Sequence, residues 1–243
     1  MRRAALLLAC LALALPLRAG NRYEHENAGD YLTSDTIVIK GAPFTVSIWA
    51  SLESFDADGC WAWYSGDDPN GTISDAYWLF AQSSADIRLG AFDDPDNGAV
   101  SAGVTLTTDT WHHIGFVEAS TSSRDCWADE THANNTTTVD PEVGEFTHMY
   151  FGRRTDVSSN WFDGDMGVAA FWDEGLADEE MSALHEGAWP PHVSPESLTF
   201  LMDQGNSNPD QDVIGGAMMT KSGGITKAGI KPVGPRPGQQ AGQ

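Results

Sequence analysis

The segment PFTVSIWASL at residues 43–52 decides the fold class of this chain. In an extended strand, neighbouring side chains point to opposite faces, so Phe44, Val46 and Ile48 share one face and the residues between them share the other. This alternation predicts a strand of a β-sheet.

Comparable short runs follow along the chain, separated by Gly, Asp, Asn, Ser and Pro, without a convincing amphipathic helix before residue 175. Such a pattern is typical of an antiparallel sandwich or barrel. The 243 residues contain no linker in the middle, which favours a single main domain. The further predicted strands are 60–65, 76–82, 87–92, 111–118, 125–129, 148–153, 165–172 and 197–202, with an opening strand or two in 30–39.

One helix is predicted near residues 178–186, within LADEEMSALHEGA. Leu176, Met181 and Leu184 share a face of this helix, and acidic residues crowd its first turn. We expect Asp178 to be the N-terminal cap. The helix is short and would cover one end or face of the sandwich.

The first twenty residues have the layout of a secretory signal peptide: Met1-Arg2-Arg3, an apolar run over 4–15, and a cleavage site near residues 19–20. The run is too short to span a bilayer. We therefore expect a secreted, extracellular protein whose mature chain does not insert into a membrane. The predicted divisions are a signal peptide at 1–20, a sandwich domain at 21–214, and a Gly/Pro-rich C-terminal ribbon or tail at 215–243.

The chain is strongly acidic, with 35 Asp and Glu, 13 Lys and Arg, and a formal net charge of −22. Nucleic acid and anionic membranes are poor partners for such a field. The acidity fits either solubility in a salty medium or cation binding.

Cys60 and Cys126 remain after removal of the signal peptide. An even pair of cysteines in an exported chain is compatible with a disulfide between them. Two separate buried thiols are the alternative.

Five segments follow one another in a specific order. They are PFTVSIWASL, TDTWHHIGFV, RDCWADETHAN, MYFGRR and FDGDMGVAAFWDEGLADEEMSALHEG. This order resembles the laminin G-like domains of the concanavalin A-like lectin/glucanase superfamily. The resemblance covers residues 28 to 205 and implies an all-β, two-sheet antiparallel jelly-roll sandwich with the short cap helix. One departure is Asp129-Glu130, where the family usually has Asp-Gly.

Acidic side chains crowd two loops of the predicted meander. The loops after strands 60–65 and 87–92 lie at the same end of an antiparallel meander, so their carboxylates should share one rim. Such carboxylates repel one another unless they are solvated or bridged by a hard cation with oxygen ligands. Asx turns are the simpler explanation of the same residues. The rim residues are Asp67, Asp68, Asp75, Asp93, Asp94 and Asp96.

The family resemblance implies calcium at this rim, held through the Asp that opens the strand matching AYWLF. That residue is Asp75. We therefore expect Ca²⁺ as a cofactor, with Asp75 as a ligand from the resemblance and four more from the geometry, namely Asp68, Asp93, Asp94 and Asp96.

Two of the nine tryptophans, Trp63 and Trp161, are predicted to be exposed platforms for sugar stacking, with Asn160 beside them as a polar contact. Core packing is the alternative for each tryptophan. His112 and His113 are adjacent on a strand and should point to opposite faces, so they cannot bind one ion together.

No catalytic motif occurs in the sequence. The E-x-D-x-x-E strand of glycoside hydrolases is absent, as are G-x-S-x-G, H-E-x-x-H and P-loop motifs. We therefore expect a binding module, not an enzyme, that recognises a glycan or a glycosylated surface through rim loops with the help of calcium. The alternative is a structural or adhesive protein of a cell envelope or virion surface that binds another protein and uses calcium only structurally.

Overall fold

In the part of the chain that it describes, the structure, a computed structural model, consists of two antiparallel β-sheets packed face to face, with one α-helix on the outside of the first sheet. Within the described part of the chain, no helix has the length and apolar character needed to cross a membrane. The described residues are 22–25, 31–34, 36–55, 60–66, 74–81, 86–153, 161–202, 212, 214–215, 217–222 and 226–228.

The described residues form fifteen strands, one α-helix and two short 3-10 turns. The helix is α1 (Asp178–His185), and two short 3-10 turns lie at Val143–Glu145 and Pro190–His192. The strands are β1 (Arg22–His25), β2 (Tyr31–Ser34), β3 (Phe44–Leu52), β4 (Cys60–Gly66), β5 (Asp75–Ala81), β6 (Asp86–Asp93), β7 (Asp96–Thr105), β8 (Trp111–Ser120), β9 (Ser123–Ala128), β10 (Thr131–Asn135), β11 (His148–Phe151), β12 (Gly164–Trp172), β13 (Leu198–Met202), β14 (Thr220–Ser222) and β15 (Thr226–Ala228).

The strands form two sheets, here called sheet A and sheet B. Sheet A runs in the order β10-β9-β8-β3-β12-β1-β15, and β13 also pairs with β12. Sheet B runs in the order β14-β2-β11-β4-β5-β6-β7. The predicted two-sheet sandwich is therefore confirmed.

Strand β3 lies at the centre of sheet A, between β8 and β12. Val46 and Ile48 are fully buried between the sheets, as the alternation predicted. Phe44 contacts aromatic rings from both sheets, with ring centroids 4.7 Å from Tyr77 and 5.1 Å from Phe116. Burial of such rings is the main stabilising contribution to the core.

Helix α1 packs on the outer face of sheet A, close to the predicted position. Met181 and Leu184 are buried there in a second apolar cluster with Trp172. The predicted cap is wrong, because Ala177 precedes the helix and Asp178 is its first residue. The Glu180 carboxylate instead accepts the backbone N–H of Ala177 at 2.9 Å, which satisfies one of the donors at the helix start.

The sequence pattern missed strands β1, β7, β10, β14 and β15, of which β7 and β10 are the longest. Residues 93–98 read as one long Asp-rich loop, but only Asp94 and Pro95 connect β6 to β7. Strand β10 has mostly exposed polar residues and pairs only with β9 at the edge of sheet A. Neither strand has the apolar alternation by which strands are recognised.

A buried ion pair joins two neighbouring strands of sheet A. Arg124 on β9 donates from Nε and Nη2 to the two carboxylate oxygens of Glu118 on β8, at 2.9 and 2.8 Å, and both side chains are fully buried. The guanidinium also donates to backbone carbonyls of the turn and of the segment that follows β10, those of Thr121, Thr137 and Val139. A Cβ atom at Gly98 on β7 would overlap Arg124 Nη1, so the glycine makes room for the guanidinium.

The predicted disulfide is wrong, and Cys126 is a free buried thiol. Its Sγ donates to the carbonyl of Ile87, at 3.6 Å, and burial raises the pKa of the thiol. Cys126 thus contacts β6 of sheet B. Cys60 pairs with Ala81, which pairs in turn with Ile87, so Cys60 lies on β4, two strands away from the position that Cys126 contacts. Two strand spacings are about 10 Å, whereas a disulfide needs Cα atoms within about 7 Å.

His112 and His113 do point in different directions, as predicted for neighbours on a strand. His112 Nδ1 lies 2.8 Å from Asp129 Oδ2, and His113 Nε2 lies 2.8 Å from the Ser47 hydroxyl. Burial lowers the pKa of His113 to about 3, so this ring is neutral at pH 7. Asp129 adopts a φ of 54° in the turn where related domains carry glycine, and its carboxylate also accepts the His113 N–H at 3.0 Å.

Replacing Arg124 should destabilise the fold strongly. In Arg124→Met the Glu118 carboxylate stays buried without a cation, which typically costs about 3–5 kcal/mol. We expect urea denaturation at pH 7 to show this loss. The double variant Arg124→Met/Glu118→Gln removes the buried charge and should recover part of the lost stability. Equal stability of the single and double variants would contradict the role assigned to the ion pair.

Candidate functional site

The predicted acidic rim exists at one end of sheet B. Asp75 begins β5, Asp93 ends β6 and Asp96 begins β7, and these residues pair in register across the three strands. Residues directly opposite in antiparallel strands have Cβ atoms about 5 Å apart. The structure therefore brings these three carboxylates together in one row, as the meander geometry predicted.

Part of the rim is already engaged with backbone groups. Asp75 is 9% exposed, and its Oδ1 accepts the backbone N–H of Glu142 at 2.8 Å. The Asp94 N–H donates to the Ser74 carbonyl at 2.8 Å, while the side chains of Asp94 and Asp96 are exposed. Asp75 thus anchors the segment after β10 to the end of sheet B.

Metal binding at the rim remains a prediction. Among the described residues, no group of three or more His, Cys, Asp or Glu side chains is arranged to hold a metal ion. The other two residues of the predicted rim, Asp67 and Asp68, lie outside the described residues.

The two tryptophans predicted as sugar platforms differ in exposure. Trp63 is 0% exposed and packs in the core against Phe171, with ring centroids 5.6 Å apart, so the prediction of an exposed platform is wrong. Trp161 is half-buried, and Asn160 lies outside the described residues. A register shift in β4 explains the error. Trp61 pairs with Phe80 and Trp63 pairs with Leu79, so the shift between them changes which positions of β4 face the core.

Sheet B carries aromatic side chains on its outer surface, which we call the aromatic face. Its central row crosses five strands in register, from β2 through β11, β4 and β5 to β6. The row consists of Thr33, Tyr150, Tyr64, Trp78 and Gly90. Tyr64 and Tyr150 are buried in a small apolar cluster that also contains Ala76, and Trp78 is half-buried against them.

Trp78 is held across the sheet by a glycine. A Cβ atom at Gly90 would overlap Cζ2 of the indole, so the ring lies over the backbone of β6, where any side chain would displace it. Phe80, two residues along β5, packs against the indole with ring centroids 4.9 Å apart. Together these rings form an apolar platform that is accessible at Trp78 and Phe80.

Two arginines border the aromatic face. Arg88 on β6 lies in register beside Phe80, and its side chain is 41% exposed. Arg153, just after β11, places its Cζ 5.0 Å above the ring of Tyr31, within the range of a cation–π contact. Polar donors therefore flank the rings on both sides.

Sequence reasoning missed this face as a site. Trp78 was ambiguous because β5 carries large side chains on both faces, Tyr77 and Leu79 inward and Trp78 and Phe80 outward. A possible signal was Gly90, since a glycine inside a strand often marks close approach of another group.

A cavity of about 190 Å³ lies elsewhere, between residues 38–44 and β12. It is lined by Phe44, Phe171 and Thr199 among others. Neither the rim aspartates nor the rings of the aromatic face line it, so it is not part of either candidate site.

The sandwich and its outer face define a lectin-like β-protein, and the family comparison agrees. A laminin G-like family model of the concanavalin A-like lectin/glucanases superfamily matches residues 26–182. This is more than half of the chain, and the chain belongs to that family. No curated protein sequence matches it significantly.

Solved structures share the fold at low sequence identity. A heptameric SAP-like pentraxin from Limulus polyphemus aligns with a TM-score of 0.60 and 13% identity, over 90% of this chain and 99% of the pentraxin. A proposed carbohydrate-binding protein from Bacteroides ovatus aligns with a TM-score of 0.68 and 14% identity, over 89% of this chain and 62% of that protein. The CBM40 of a Ruminococcus gnavus IT-sialidase, bound to α2,3-sialyllactose, aligns with a TM-score of 0.55 and 11% identity, over 68% and 97%.

Removing the Asp75 carboxylate should destabilise the protein even without a metal. In Asp75→Ala the Glu142 N–H loses its acceptor, and loss of such a partly buried hydrogen bond costs about 0.5–1.5 kcal/mol. Urea denaturation in EDTA measures this loss. Asp94→Ala, at an exposed carboxylate of the same rim, is the matched control and should stay within about 0.5 kcal/mol of the parent. Equal stability of the two variants would contradict the anchoring role of Asp75.

Proposed function

We propose that this protein is a non-catalytic, extracellular module that binds a glycan on the aromatic face of sheet B. The observation that carries the proposal is the Trp78 indole lying over Gly90 beside Phe80, in a row of aromatic side chains. Planar rings fixed on a sheet offer a large apolar surface at a small cost in conformational entropy. The apolar face of a pyranose ring has the matching shape.

Polar groups near the rings support a sugar ligand over a purely apolar one. Arg88 and Arg153 border the face, and His148 packs on Tyr150 with ring centroids 5.7 Å apart. Binding sites for small polar molecules typically combine aromatic surface with a few placed donors. Sugar hydroxyls can accept from such donors while the ring stacks.

The structural neighbours support the same class of ligand. The Ruminococcus gnavus CBM40 binds α2,3-sialyllactose, and a domain of a Geobacillus stearothermophilus arabinanase binds arabinotriose. The proposal therefore keeps the glycan ligand expected from the sequence but places it on the face of sheet B, not in the rim loops.

Binding without catalysis is the simplest role for this face. Glycoside hydrolysis requires two carboxylates on either side of the bond that is broken. The described residues that pair in register with Ala76, Trp78 and Phe80 across the aromatic face include no Asp or Glu. The E-x-D-x-x-E strand of glycoside hydrolases is also absent from the sequence.

Trp78→Ala should weaken glycan binding about tenfold or more, because truncating a central stacked aromatic commonly costs 2 kcal/mol or more. A glycan array followed by calorimetry on the best ligand measures this. Trp189→Ala removes a 37% exposed tryptophan beside the Pro190–His192 turn, away from the face, and should leave affinity unchanged.

Two results would count against the proposal. Silence of the parent protein on every glycan would favour the alternative of a structural or adhesive protein that binds another protein. Glycan binding that Trp78→Ala leaves intact would move the site away from the aromatic face. Gly90→Ala provides a second test, because its methyl group displaces the indole without removing it.

We also propose that calcium occupies the acidic rim, with Asp75 and Asp93 as ligands and Asp96 as a further candidate. Support comes from the like charges paired in register, since adjacent carboxylates destabilise a sheet unless a cation or solvent compensates. Calcium prefers six to eight oxygen ligands, which side chains and backbone carbonyls of the rim would supply together. Asp68 and Asp94 are candidates as well.

Calcium should raise the melting temperature of the mature protein. A ligand present at 100 times its Kd stabilises the folded state by about 2.7 kcal/mol. Thermal denaturation in EDTA and in 10 mM calcium measures the shift. Asp93→Asn should lose it while retaining the hydrogen bond of Asp75 to Glu142. A parent protein whose melting temperature does not respond to calcium would rule the site out, without affecting the glycan proposal.

A further inference from the structure

We infer that the glycan bound by the aromatic face is anionic, with carboxylate or sulfate groups recognised by Arg88 and Arg153. The inference rests on the proposed function of that face and goes on to name the class of ligand. Its support is the position of the few Lys and Arg side chains in this acidic chain.

The described arginines have different surroundings. Arg124 is fully buried and paired with Glu118, so it is inaccessible to a ligand. Arg88 and Arg153 are the other two arginines whose side chains are described, and both border the aromatic face. Of the four Lys and Arg side chains that the structure describes, Arg88 and Arg153 border this face, Lys40 lies elsewhere and Arg124 is buried.

The three central rows of the aromatic face contain no Asp or Glu, as far as the structure describes them. The acid beside them is Asp86, whose carboxylate contacts Arg88 and Ser101 of the third row. The first row contains Asn97, Phe92, Ala76, Gly66 and His148. The second contains Ala99, Gly90, Trp78, Tyr64, Tyr150 and Thr33. The third contains Ser101, Arg88, Phe80 and Trp61. The rim aspartates lie one register position beyond the first row, and Asp75 is on the inward side with Tyr77.

Arg88 keeps donors available for a ligand. Its Nε lies 3.5 Å from Asp86 Oδ2, while the Asp86 carboxylate is also held by the Ser101 hydroxyl at 2.5 and 2.6 Å. A guanidinium has five N–H groups in a fork that matches a carboxylate or a sulfate. The contact with Asp86 involves Nε, and the Arg88 side chain is 41% exposed, so a ligand can approach it.

The two arginines are spaced for an oligosaccharide. Strands β6 and β11 are separated by β5 and β4, and three strand spacings are about 14 Å. Trp78 and Phe80 lie between them on β5. A ligand that stacks on the rings could therefore place one acidic group near each guanidinium.

The net charge of the protein makes this recognition selective. A chain at −22 repels anionic glycans over most of its surface. A binding face for a neutral sugar would need no cations and no exclusion of acids. Attraction confined to one face also orients an anionic ligand, and salt would weaken it because the arginines are partly exposed.

The test compares neutral, uronic-acid, sialylated and sulfated glycans on one array, followed by calorimetry on the best anionic ligand and its uncharged counterpart, a methyl ester or a desulfated form. We expect the anionic form to bind at least tenfold more tightly. Arg88→Gln and Arg153→Gln should each weaken it about tenfold, as expected for loss of a charge-assisted hydrogen bond. Lys40→Gln, at an exposed cation on the connection between β2 and β3, is the matched control and should bind as the parent does.

The outcomes separate this inference from the proposed function. Equal binding of charged and uncharged forms, lost only in Trp78→Ala, would overturn the inference and leave the glycan proposal intact. Silence on all glycans would overturn both. Binding of carboxylated but not sulfated members, or the reverse, would support the inference and identify the anionic group. Circular dichroism and melting temperatures of the arginine variants exclude loss through misfolding.

Discussion

The buried pair of Arg124 and Glu118 is the interaction on which much of the molecule depends. Burying two charges is costly, and the cost is offset here by two hydrogen bonds between them and by three backbone carbonyls around the guanidinium. Those carbonyls belong to the turn after β8 and to residues 137–139, so one side chain fixes the path of a segment without regular structure. A few residues further on, the Glu142 N–H reaches Asp75 at the rim. The segment between β10 and β11 is thus held by Arg124 of sheet A and by Asp75 of sheet B.

The two outer faces of the sandwich differ in what covers them. Helix α1 lies over sheet A and buries a second apolar cluster around Trp172. Sheet B has no helix over it in the described part of the chain, and Trp78 and Phe80 remain half-buried. Partly exposed rings grouped on a sheet are a common feature of recognition surfaces. This difference is the reason for placing the proposed ligand on sheet B and not on sheet A.

Much of the fold was predictable from the sequence, and particular residues show why. The alternation in β3 identified the buried side chains correctly, since no irregularity interrupts pairing with β8. The meander geometry placed Asp75, Asp93 and Asp96 together, because antiparallel strands return to the same end. The disulfide could not be settled from spacing, since which sheet a cysteine joins is a tertiary property.

The aromatic face was harder to predict from the sequence than the fold was. Trp63 and Trp78 both lie in strands with aromatic residues at neighbouring positions, so alternation alone cannot say which ring is buried. A shift in register at Ala62 sets the parity of β4, and only the paired strand reveals it. The arginine positions follow from the same register. Arg88 becomes a neighbour of Phe80 only when β5 and β6 are aligned.

The pairing of β1 with β15 has a mechanical consequence. Arg22 lies opposite Ala228, and the two strands are antiparallel, so their outer ends meet at one place on sheet A. A pulling force applied through those two residues would separate the strands one hydrogen-bonded pair at a time, the weakest loading direction for a sheet. The rings of sheet B lie outside that path. Tension on the chain would therefore peel the edge of sheet A before it disturbed the aromatic face of sheet B.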